Sequence, residues 1–246
     1  MSERTAVVTG ASSGIGEYTA KRLARDGWKL LLVARREERL QKLARELGAE
    51  YLAVDLTADD APERIRRRVD ELWGRLDLLV NNAGAVGRGA FGDAGYETVR
   101  RTMNLNFDAV VRLTEALLPV LRASAPSSIV NVSSIAGRIA QARSGAYAAS
   151  KFALAGWTEA LRLEEKPNRV HVGLVLPGFI HTEGMPQTTL MKTARTRWLV
   201  STPDRVADAI VRAGPGGHAE VAVPRPWGVV PRLRYGLPGL TRRVRG

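Results

Sequence analysis

The chain has 246 residues, of which 45% are hydrophobic and 25% charged, and its formal net charge at pH 7 is +12. This length suits one large α/β domain or two small ones, and no linker, repeat or low-complexity block divides it, so we expect a single domain over residues 1–246. The lack of cysteine excludes disulfides and thiolate metal sites, and three histidines far apart in the sequence argue against a structural metal.

The charge and the N-terminal sequence bear on location and partners. No apolar stretch approaches the ~18 residues of a membrane span, and the N-terminus has no signal-peptide pattern, so we expect a cytoplasmic protein. The positive charge is compatible with nucleic acid, an anionic membrane surface or an acidic ligand, but a generally arginine-rich surface is the simpler interpretation. About half of the excess lies between Val221 and Gly246, where there are six arginines and no acid.

Short apolar runs alternate with amphipathic helical patterns along most of the chain. The apolar runs are rich in Val and Leu, as expected for strands that are buried on both faces. A representative helical pattern is Glu37–Leu47, in which Leu40, Leu43 and Leu47 recur at helical spacing. This alternation predicts parallel strands joined by right-handed crossovers, and hence a doubly wound α/β sheet. The predicted strands are Thr5–Thr9, Lys29–Ala34, Glu50–Val54, Leu76–Val80, Ser128–Ser133, Val170–Val175 and Glu220–Val223.

A glycine-rich segment, TGASSGIG, follows the first strand at residues 9–16. Glycines at this place let the backbone approach a pyrophosphate, which then meets the positive N-terminus of the next helix. A plain strand-to-helix turn is the alternative for this segment by itself. The predicted cofactor-binding residues of the loop are Gly10, Ser12, Ser13, Gly14, Ile15 and Gly16.

The end of the second strand decides between NAD and NADP. An acid at this place accepts hydrogen bonds from the ribose 2′-hydroxyl, whereas an arginine pairs with a 2′-phosphate. The chain has Arg35 and Arg36 there, with no acid at the expected position. We therefore predict NADP(H) in preference to NAD(H), with Arg35 as the phosphate ligand and Arg36 in support. Alternatively, both arginines are solvated residues that open a helix.

Tyr147 and Lys151 stand four residues apart in the sequence YAASK, a spacing that puts both side chains on one face of a helix. A phenol with a pKa of about 10 is a poor acid–base catalyst at neutral pH, but a neighbouring cation favours the phenolate and lowers that pKa. The pair is therefore suited to moving a proton to or from a substrate oxygen. Because the spacing alone is common on solvated helices, its interpretation depends on the other motifs.

The order of the motifs resembles that of the short-chain dehydrogenase/reductase family in its single-domain form. Besides TGASSGIG and YAASK, the chain has NNAG at residues 81–84, MNLNF at 103–107, NVSSIAG at 131–137 and PG at 177–178. The resemblance extends from about Thr5 to Thr182, and it implies a Rossmann-type fold with a seven-stranded sheet. It also implies cofactor contacts for Asp55 and Leu56 near the adenine, for Asn82, Ala83 and Gly84 beside its ribose, and for Pro177, Gly178, Ile180 and Thr182 near the nicotinamide.

The same resemblance gives Tyr147 and Lys151 their catalytic roles. Tyr147 protonates the carbonyl oxygen in reduction or deprotonates the alcohol in oxidation. Lys151 binds the nicotinamide ribose and lowers the pKa of the phenol. Tyr147 and Lys151 are therefore expected to contact the cofactor as well as the reacting oxygen.

Two more catalytic positions follow from the resemblance, each with a rival close by. Ser134 hydrogen-bonds the substrate oxygen, and Ser133 is the alternative. Asn106 holds a water that links Lys151 to solvent, and Asn104 is the alternative. Taken singly, Ser134 and Asn106 are also ordinary strand-end and helix-capping residues.

Substrate and lid are predicted less closely. Arg88, Arg138 and Arg143 lie near the catalytic motifs, and an arginine that faces the pocket favours an anionic substrate, whereas surface exposure is the alternative. The apolar-rich region Glu183–Val200 is expected to form a mobile lid over a partly apolar pocket.

The sequence leaves more than one interpretation of the oligomeric state and of the role of the C-terminal tail. The helices near Tyr96–Leu121 and Ala146–Leu163 resemble those that pair in homodimers and homotetramers of the family. The basic tail, about residues 224–246, departs from the family pattern, and its prolines prevent one continuous helix. Covering the pocket or a neighbouring subunit, peripheral contact with an anionic membrane, and disorder are the alternatives for the tail.

The leading hypothesis is an NADP(H)-dependent oxidoreductase that interconverts a small-molecule ketone or aldehyde and its alcohol. One alternative is a regulator that binds NADP(H) without turnover. The other is a basic protein that binds a membrane surface or, less favoured, nucleic acid on the same fold. The complete set of catalytic residue types favours the enzyme.

Overall fold

The computed structural model describes residues 3–181 and 200–228. Seven strands form one sheet in which every paired neighbour is parallel. The strands of this sheet are β1 (Thr5–Thr9), β2 (Lys29–Ala34), β3 (Glu50–Ala53), β4 (Leu78–Asn81), β5 (Ser127–Val132), β6 (Val170–Pro177) and β9 (Glu220–Val223). A second, two-stranded parallel sheet consists of β7 (Phe179–Ile180) and β8 (Val200–Ser201).

The strand order in the large sheet is β3-β2-β1-β4-β5-β6-β9. The chain builds outwards from β1 in one direction and then returns to build from β4 in the other, so the order reverses between β1 and β4. The carboxyl ends of these two strands leave a crevice, which is the usual place for a ligand in a doubly wound sheet. The predicted seven-stranded parallel α/β sheet is therefore confirmed.

Helices cover both faces of the sheet. On one face, α1, α2 and α7 pack against alternate residues of the central strands, and on the other face α3, α5 and α6 do the same. Val8 belongs to the first of these two cores and Val7 to the second, as the two-residue period of a strand requires. The helices are α1 (Gly14–Arg25), α2 (Glu37–Leu47), α3 (Ala61–Leu72), α4 (Phe91–Met103), α5 (Ala109–Ala123), α6 (Gly145–Glu165) and α7 (Pro203–Ala213).

The helix predicted over Tyr96–Leu121 is interrupted in its middle. Between α4 and α5, residues Asn104–Asp108 form a π-helix, in which each turn holds one more residue than an α-helical turn. The interruption coincides with the candidate site, because it contains Asn106, which is fully buried. Hydrophobic periodicity does not reveal a turn of this kind.

The predicted fourth strand, Leu76–Val80, begins two residues later and ends one residue later in the structure. Leu76 is buried, but its N–H group donates to Ser124 Oγ (2.9 Å) and the ladder begins only at Leu78. At the other end the strand extends to Asn81, whose side chain is buried between β5 and α5. Burial of an apolar residue next to a strand is therefore not evidence that it belongs to the ladder.

Several predicted features lie on other parts of the chain. The expected lid, Glu183–Val200, falls outside the described residues except for Val200, which starts β8. The basic tail is described only as far as Gly228. Within the described ranges, the helices are too short or too polar to cross a bilayer. The same ranges bring no three potential metal-ligating side chains together.

Candidate active site

A cavity of about 340 Å³ opens at the carboxyl ends of the central strands. Of the residues predicted for the site, Gly16 and Asn106 do not line the cavity, and Thr182 falls outside the described residues. The predicted residues that line the cavity are Gly10, Ser12, Ser13, Gly14, Ile15, Arg35, Arg36, Asp55, Leu56, Asn82, Ala83, Gly84, Ser134, Tyr147, Lys151, Pro177, Gly178 and Ile180.

Besides Ser133, the rival of Ser134, six lining residues were not predicted; all six are apolar, and half of them stand directly beside a predicted polar residue. Val54 precedes Asp55, and Val132 ends β5 just before the two serines. In a strand that is buried on both faces, hydrophobicity does not distinguish a residue at a cavity from one in the core, so the sequence offered no signal except adjacency. The unpredicted lining residues other than Ser133 are Ala34, Val54, Ala85, Val86, Leu105 and Val132.

The glycine-rich loop is shaped by contacts that exclude side chains. Gly10 and Gly14 have φ values of 66° and 55°, in the left-handed region that favours glycine. A Cβ on Gly16 would lie 2.2 Å from the carbonyl oxygen of Gly10, so only glycine permits this approach of loop and helix. Asn82 fastens the loop to β4, because its side-chain Nδ2 donates to the carbonyl oxygen of Thr9 (2.9 Å).

The N-terminus of α1 faces the same cavity. Its N-cap residue, Ser13, makes no side-chain capping hydrogen bond. The first backbone N–H groups of a helix have no partners within the helix, and together with the helix dipole they favour an anion. The loop and this helix end therefore form a cradle that fits a pyrophosphate.

The two arginines after β2 take different positions. Arg36 lies against the glycine-rich loop, where its Nη2 donates to Ser13 Oγ (2.6 Å) and to Ser12 Oγ (3.0 Å). Arg35 has a side chain that is 71% exposed, and its Nη1 lies 3.7 Å from Asp55 Oδ2. The sequence suggests Arg35 as the main phosphate ligand, whereas in the structure Arg36 is the residue in contact with the loop.

Asp55 is an ionised carboxylate at the end of β3. The backbone N–H group of Thr57 donates to it (2.9 Å), and so does the Thr57 hydroxyl (2.8 Å). These two hydrogen bonds, with the nearby Arg35 guanidinium, hold the pKa of Asp55 below its usual value. Its negative charge therefore partly offsets the positive charge of the arginines after β2.

Ser134 and Tyr147 face each other across the cavity. The Ser134 hydroxyl follows β5, accepts the N–H of Ala136 (3.1 Å) and donates to the carbonyl oxygen of Pro177 (3.2 Å). Burial raises the pKa of Tyr147, and its hydrogen bond with the Ser134 side chain opposes that rise. The neighbouring Ser133 donates to the backbone carbonyl of Lys151 (2.9 Å) and so is tied to α6. Ser134 is therefore the serine that is paired with Tyr147.

Lys151 is almost completely buried on the same face of α6. Its Nζ donates to the carbonyl oxygen of Val132 (2.9 Å) and lies 5.9 Å from the centre of the Tyr147 ring. Burial lowers the pKa of Lys151 to about 8. The expected lowering of the Tyr147 pKa by this ammonium is absent from the structure, because at this distance burial dominates and the pKa of Tyr147 is raised.

Asn106 joins the π-helix to the helix that carries Tyr147. Its Oδ1 accepts the N–H of Ala85 (2.9 Å), and its Nδ2 donates to the carbonyl oxygen of Ala85 (2.9 Å) and to Ser150 Oγ (3.0 Å). Ser150 in turn donates to the carbonyl oxygen of Tyr147 (2.8 Å). The buried Asn106 thus positions the turn of α6 that holds Tyr147, which Asn104 is not placed to do.

The three arginines near the catalytic motifs lie on the surface or in ion pairs. Arg138 pairs with Glu159 on α6 and with Glu220 on β9 (2.7 Å), which turns it away from the cavity. Arg88 and Arg143 are exposed on two loops that meet where the N–H of Gly89 donates to the carbonyl oxygen of Arg143 (2.9 Å). Neither exposed arginine is among the residues that line the cavity.

Comparison with known proteins gives a consistent result. A family model described as short chain dehydrogenase matches residues 4–192. The ketoacyl reductase HetN of Nostoc sp. strain PCC 7120 is 31% identical over 225 residues, which cover 89% of this chain and 78% of that protein. The 3-ketodihydrosphingosine reductase of Bacteroides thetaiotaomicron is 37% identical over 183 residues, covering 74% of this chain and 66% of the relative.

A solved structure extends the comparison to three dimensions. The crystal structure of a point variant of the actinorhodin polyketide ketoreductase with NADPH superposes with a TM-score of 0.82 at 28% identity. The superposition covers 92% of this chain and 97% of the other. The sequence matches and the structural superposition therefore indicate the same group of proteins.

Proposed function

Because the chain belongs to the short-chain dehydrogenase/reductase family, we propose that it is an NADP(H)-dependent reductase that converts a ketone or aldehyde into an alcohol, with Tyr147 as the general acid. The observation that carries the proposal is that Ser134, Tyr147 and Lys151 line one cavity that begins at the glycine-rich loop, with the Ser134 side chain close enough to oppose the rise that burial causes in the pKa of the Tyr147 phenol. A substrate carbonyl oxygen placed between the two side chains would accept one hydrogen bond from the Tyr147 phenol and one from the Ser134 hydroxyl.

The residues that would hold the cofactor follow the cavity from one end to the other. The glycine-rich loop and the α1 N-terminus would bind the pyrophosphate, and Pro177, Gly178 and Ile180 would lie beside the nicotinamide. The fit is supported by the absence of any room for side chains at Gly10 and Gly16, where a Cβ would meet neighbouring atoms at 2.9 and 2.2 Å. When bound, the reduced cofactor supplies the hydride for the carbonyl carbon.

The preference for NADP(H) rests on charge at the end of β2. Arg36 lies on the two loop serines and Arg35 is close by, so a 2′-phosphate would meet two guanidinium groups. The nearby carboxylate of Asp55 accepts a hydrogen bond from the Thr57 backbone and forms an ion pair with Arg35. The structure with NADPH of a ketoreductase of similar fold adds support.

Proton transfer is the task of four side chains. Tyr147 would give its phenolic proton to the carbonyl oxygen as negative charge develops there. The Ser134 hydroxyl would turn its single proton from the carbonyl oxygen of Pro177 to that oxygen and so donate a second hydrogen bond. A charged Lys151 would stabilise the phenolate that remains. Asn106 keeps Tyr147 in register through Ser150 and would help a water return the proton from solvent.

The substrate is proposed to be a ketone with a partly apolar chain. The wall near Tyr147 includes Val86, Leu105 and Val132. Two of the relatives are a ketoacyl reductase and a 3-ketodihydrosphingosine reductase. Both names describe ketones on acyl or sphingoid chains, and a similar substrate class would suit the apolar wall.

Assembly and location are further parts of the proposal. Enzymes of this family act on small molecules and are commonly oligomeric. We propose a homodimer or homotetramer that pairs through α5 and α6, since Leu163 on α6 is 74% exposed and Trp157 on the same helix is only half-buried. We also propose that residues 1–246 form one domain and that the protein is cytoplasmic.

The first test is a fluorescence titration of the purified protein with NADPH and, in parallel, with NADH. Tight NADPH binding and weak NADH binding support the proposal, and consumption of NADPH in the presence of β-keto esters of increasing chain length then tests the reaction. A preference for NADH would overturn the phosphate assignment of the arginines. If neither nucleotide binds, the proposed function is wrong.

A further inference from the structure

The chain folds back onto the candidate site directly after its last strand. From Pro224 it enters a short 3₁₀-helix, Arg225–Gly228, that carries Trp227 to the carboxyl end of β6. The backbone N–H of Gly178 donates to the carbonyl oxygen of Val223 (2.8 Å) at the same place. This is the start of the segment at which the sequence departs from the family pattern.

Trp227 packs on two residues of the nicotinamide-side segment, which we define as Pro177–Ile180. Its ring meets that of Phe179 edge-to-face, with 5.6 Å between the ring centres and 72° between the planes. Its indole also lies directly over the Cα of Gly178. A Cβ built on Gly178 would be 2.7 Å from Cδ1 and from Nε1 of the indole.

The indole occupies the space that a side chain at residue 178 would need. The φ angle of Gly178 lies outside the left-handed region, so its backbone does not require glycine. The three atoms nearest to an added Cβ all belong to Trp227. Trp227 therefore fills the space next to Gly178 that a side chain at this position would occupy.

The opposite side of the nicotinamide-side segment faces the reacting centre. Pro177, Gly178 and Ile180 line the cavity, and the carbonyl oxygen of Pro177 accepts the hydrogen bond of Ser134. Trp227 itself is not among the described residues that line the cavity. The segment is thus held between an indole on its outer side and the candidate catalytic serine on its inner side.

We propose that Trp227 is a positioning residue that sets the distance between the nicotinamide-side segment and Ser134, and thereby the shape of the nicotinamide end of the site. The inference rests on the proposed function, since that segment matters only if a nicotinamide binds beside it. Loss of the indole leaves a gap behind Gly178 into which the segment can retreat. A displacement of ~1 Å at a reacting centre is enough to lower a rate by about 100-fold.

The test compares five variants: Trp227→Ala, Gly178→Ala, the double variant, Trp227→Phe, and Trp73→Ala as a matched control. Trp73 is a half-buried tryptophan that follows α3. It lies just before the first residue of β4, at the amino ends of the strands, whereas the candidate site lies at their carboxyl ends. For each protein we would measure the dissociation constant for NADPH, the thermal midpoint, and kcat and KM for NADPH with ethyl acetoacetate as the second substrate. The full-length chain is used throughout.

We expect Trp227→Ala and Gly178→Ala each to lower kcat/KM for NADPH by about 10- to 100-fold. The double variant should be no worse than the poorer single variant, because removal of the indole makes room for the new Cβ and residues in contact are not additive. Trp227→Phe should recover most of the activity. Trp73→Ala should leave NADPH binding and kcat/KM unchanged, even if its thermal midpoint falls.

The outcomes separate this inference from the proposed function. If the wild-type protein binds no NADPH, the proposed function has failed, whatever Trp227 does. If the wild type binds NADPH and Trp227→Ala matches it, or if the losses of the two single variants simply multiply in the double variant, the positioning role is wrong. Should Trp227→Ala not fold, Gly178→Ala is compared in the Trp227→Phe background, where equal harm in both backgrounds overturns the inference.

Discussion

The ammonium of Lys151 lies 5.9 Å from the centre of the Tyr147 ring, although the two residues share one face of α6. Its hydrogen bond goes to the carbonyl oxygen of Val132 instead. The phenol and the ammonium are therefore near neighbours, and burial acts on both. Burial raises the pKa of Tyr147 and lowers that of Lys151, so each is shifted towards its neutral form.

The first prediction concerns proton transfer by Tyr147. Tyr147→Phe should lower kcat by about 100- to 10,000-fold, the usual contribution of a positioned acid, while NADPH still binds. Steady-state kinetics with a β-keto ester and a fluorescence titration measure the two quantities. Tyr96→Phe is the matched control, because Tyr96 is 64% exposed on α4 and should not affect turnover. Full activity of Tyr147→Phe would remove Tyr147 from the mechanism.

A second prediction separates the two arginines after β2. Arg36→Ala should raise the dissociation constant for NADPH by about 10- to 100-fold, since a hydrogen bond to a charged group contributes about 1.5–3 kcal/mol. The constant for NADH should change little, because NADH has no 2′-phosphate. Arg35→Ala should have the smaller effect, given its exposure. A larger effect of Arg35→Ala would restore the assignment first suggested by the sequence.

Arg45→Ala is the control for these two variants. Arg45 lies in the last turn of α2, at the other end of the helix from Arg36, and its hydrogen bonds go to Gln41 of its own helix. It should leave the binding of both nucleotides unchanged. A general loss of positive charge, if that alone mattered, would affect all three variants alike.

The third prediction is a pH dependence of stability in the protein without cofactor. The pKa of Lys151 is about 8 when folded and 10.5 by its ordinary value. Below pH 8 both folded and unfolded chains carry the proton, and the cost of burying the charge is fully present. Between the two values the unfolded chain binds more protons, so the free energy of unfolding rises with pH, by about 3 kcal/mol in all.

Urea unfolding of the wild type and of Lys151→Met from pH 7 to 11 measures this effect. The methionine variant lacks the titrating group, so the wild type should gain stability relative to it as the pH rises. Other groups titrate in both proteins and cancel in the difference. A difference that stays constant with pH would show that Lys151 has the same pKa in the folded and unfolded chains, which would contradict the lowering by burial.

A fourth prediction concerns the ion pair between α5 and α6. Glu165 is 2% exposed, and its carboxylate accepts both Nε (2.9 Å) and Nη2 (2.5 Å) of Arg122. The Arg122 guanidinium, together with Asn168, holds the pKa of Glu165 below 4.5. Glu165→Gln should therefore be less stable than the wild type at neutral pH, because the hydrogen bonds between the half-exposed Arg122 guanidinium and the buried residue 165 lose their charge assistance.

The pH dependence of stability distinguishes the loss of the Glu165 charge from a change in side-chain packing. A lowered carboxyl pKa stabilises the folded state above the ordinary value of 4.5 and ceases to do so as the pH falls through the folded value. The gap between wild type and Glu165→Gln, measured by urea midpoints, should thus narrow below pH 4.5. Glu63→Gln, which removes the partner of Arg66 on the surface of α3, should show a much smaller gap at neutral pH.

Residue types and their order were enough to predict the sheet and most of the cavity wall. Glycines at positions 10, 14 and 16, arginines after β2 and the Tyr147–Lys151 pair each have local reasons to follow a strand or lie on a helix. Parallel strands then bring their carboxyl ends to one edge, where residues that only the family resemblance indicated, such as Leu56 and Pro177, also lie. That is why the predicted site residues lie so near one another.

What the sequence could not supply depends on contacts between distant segments. The choice of Ser134 over Ser133 follows from the hydrogen bond of Ser133 to Lys151, and that of Asn106 over Asn104 from the buried contacts with Ala85 and Ser150. The side-chain direction of Arg36 towards the loop likewise arises only when β1 and β2 are paired. Local patterns contain none of these distances.

The π-helix between α4 and α5 also constrains how the chain can change its length. An α-helix turns about 100° per residue, so the extra residue rotates everything on its far side by that angle. Deleting one residue from Asn104–Asp108 would give a regular helix with a complete set of backbone hydrogen bonds. The same deletion would swing Asn106 out of its contacts or turn the buried face of α5 away from the sheet. Insertions and deletions should therefore be tolerated in the surface loops of this protein long before a single one is tolerated here.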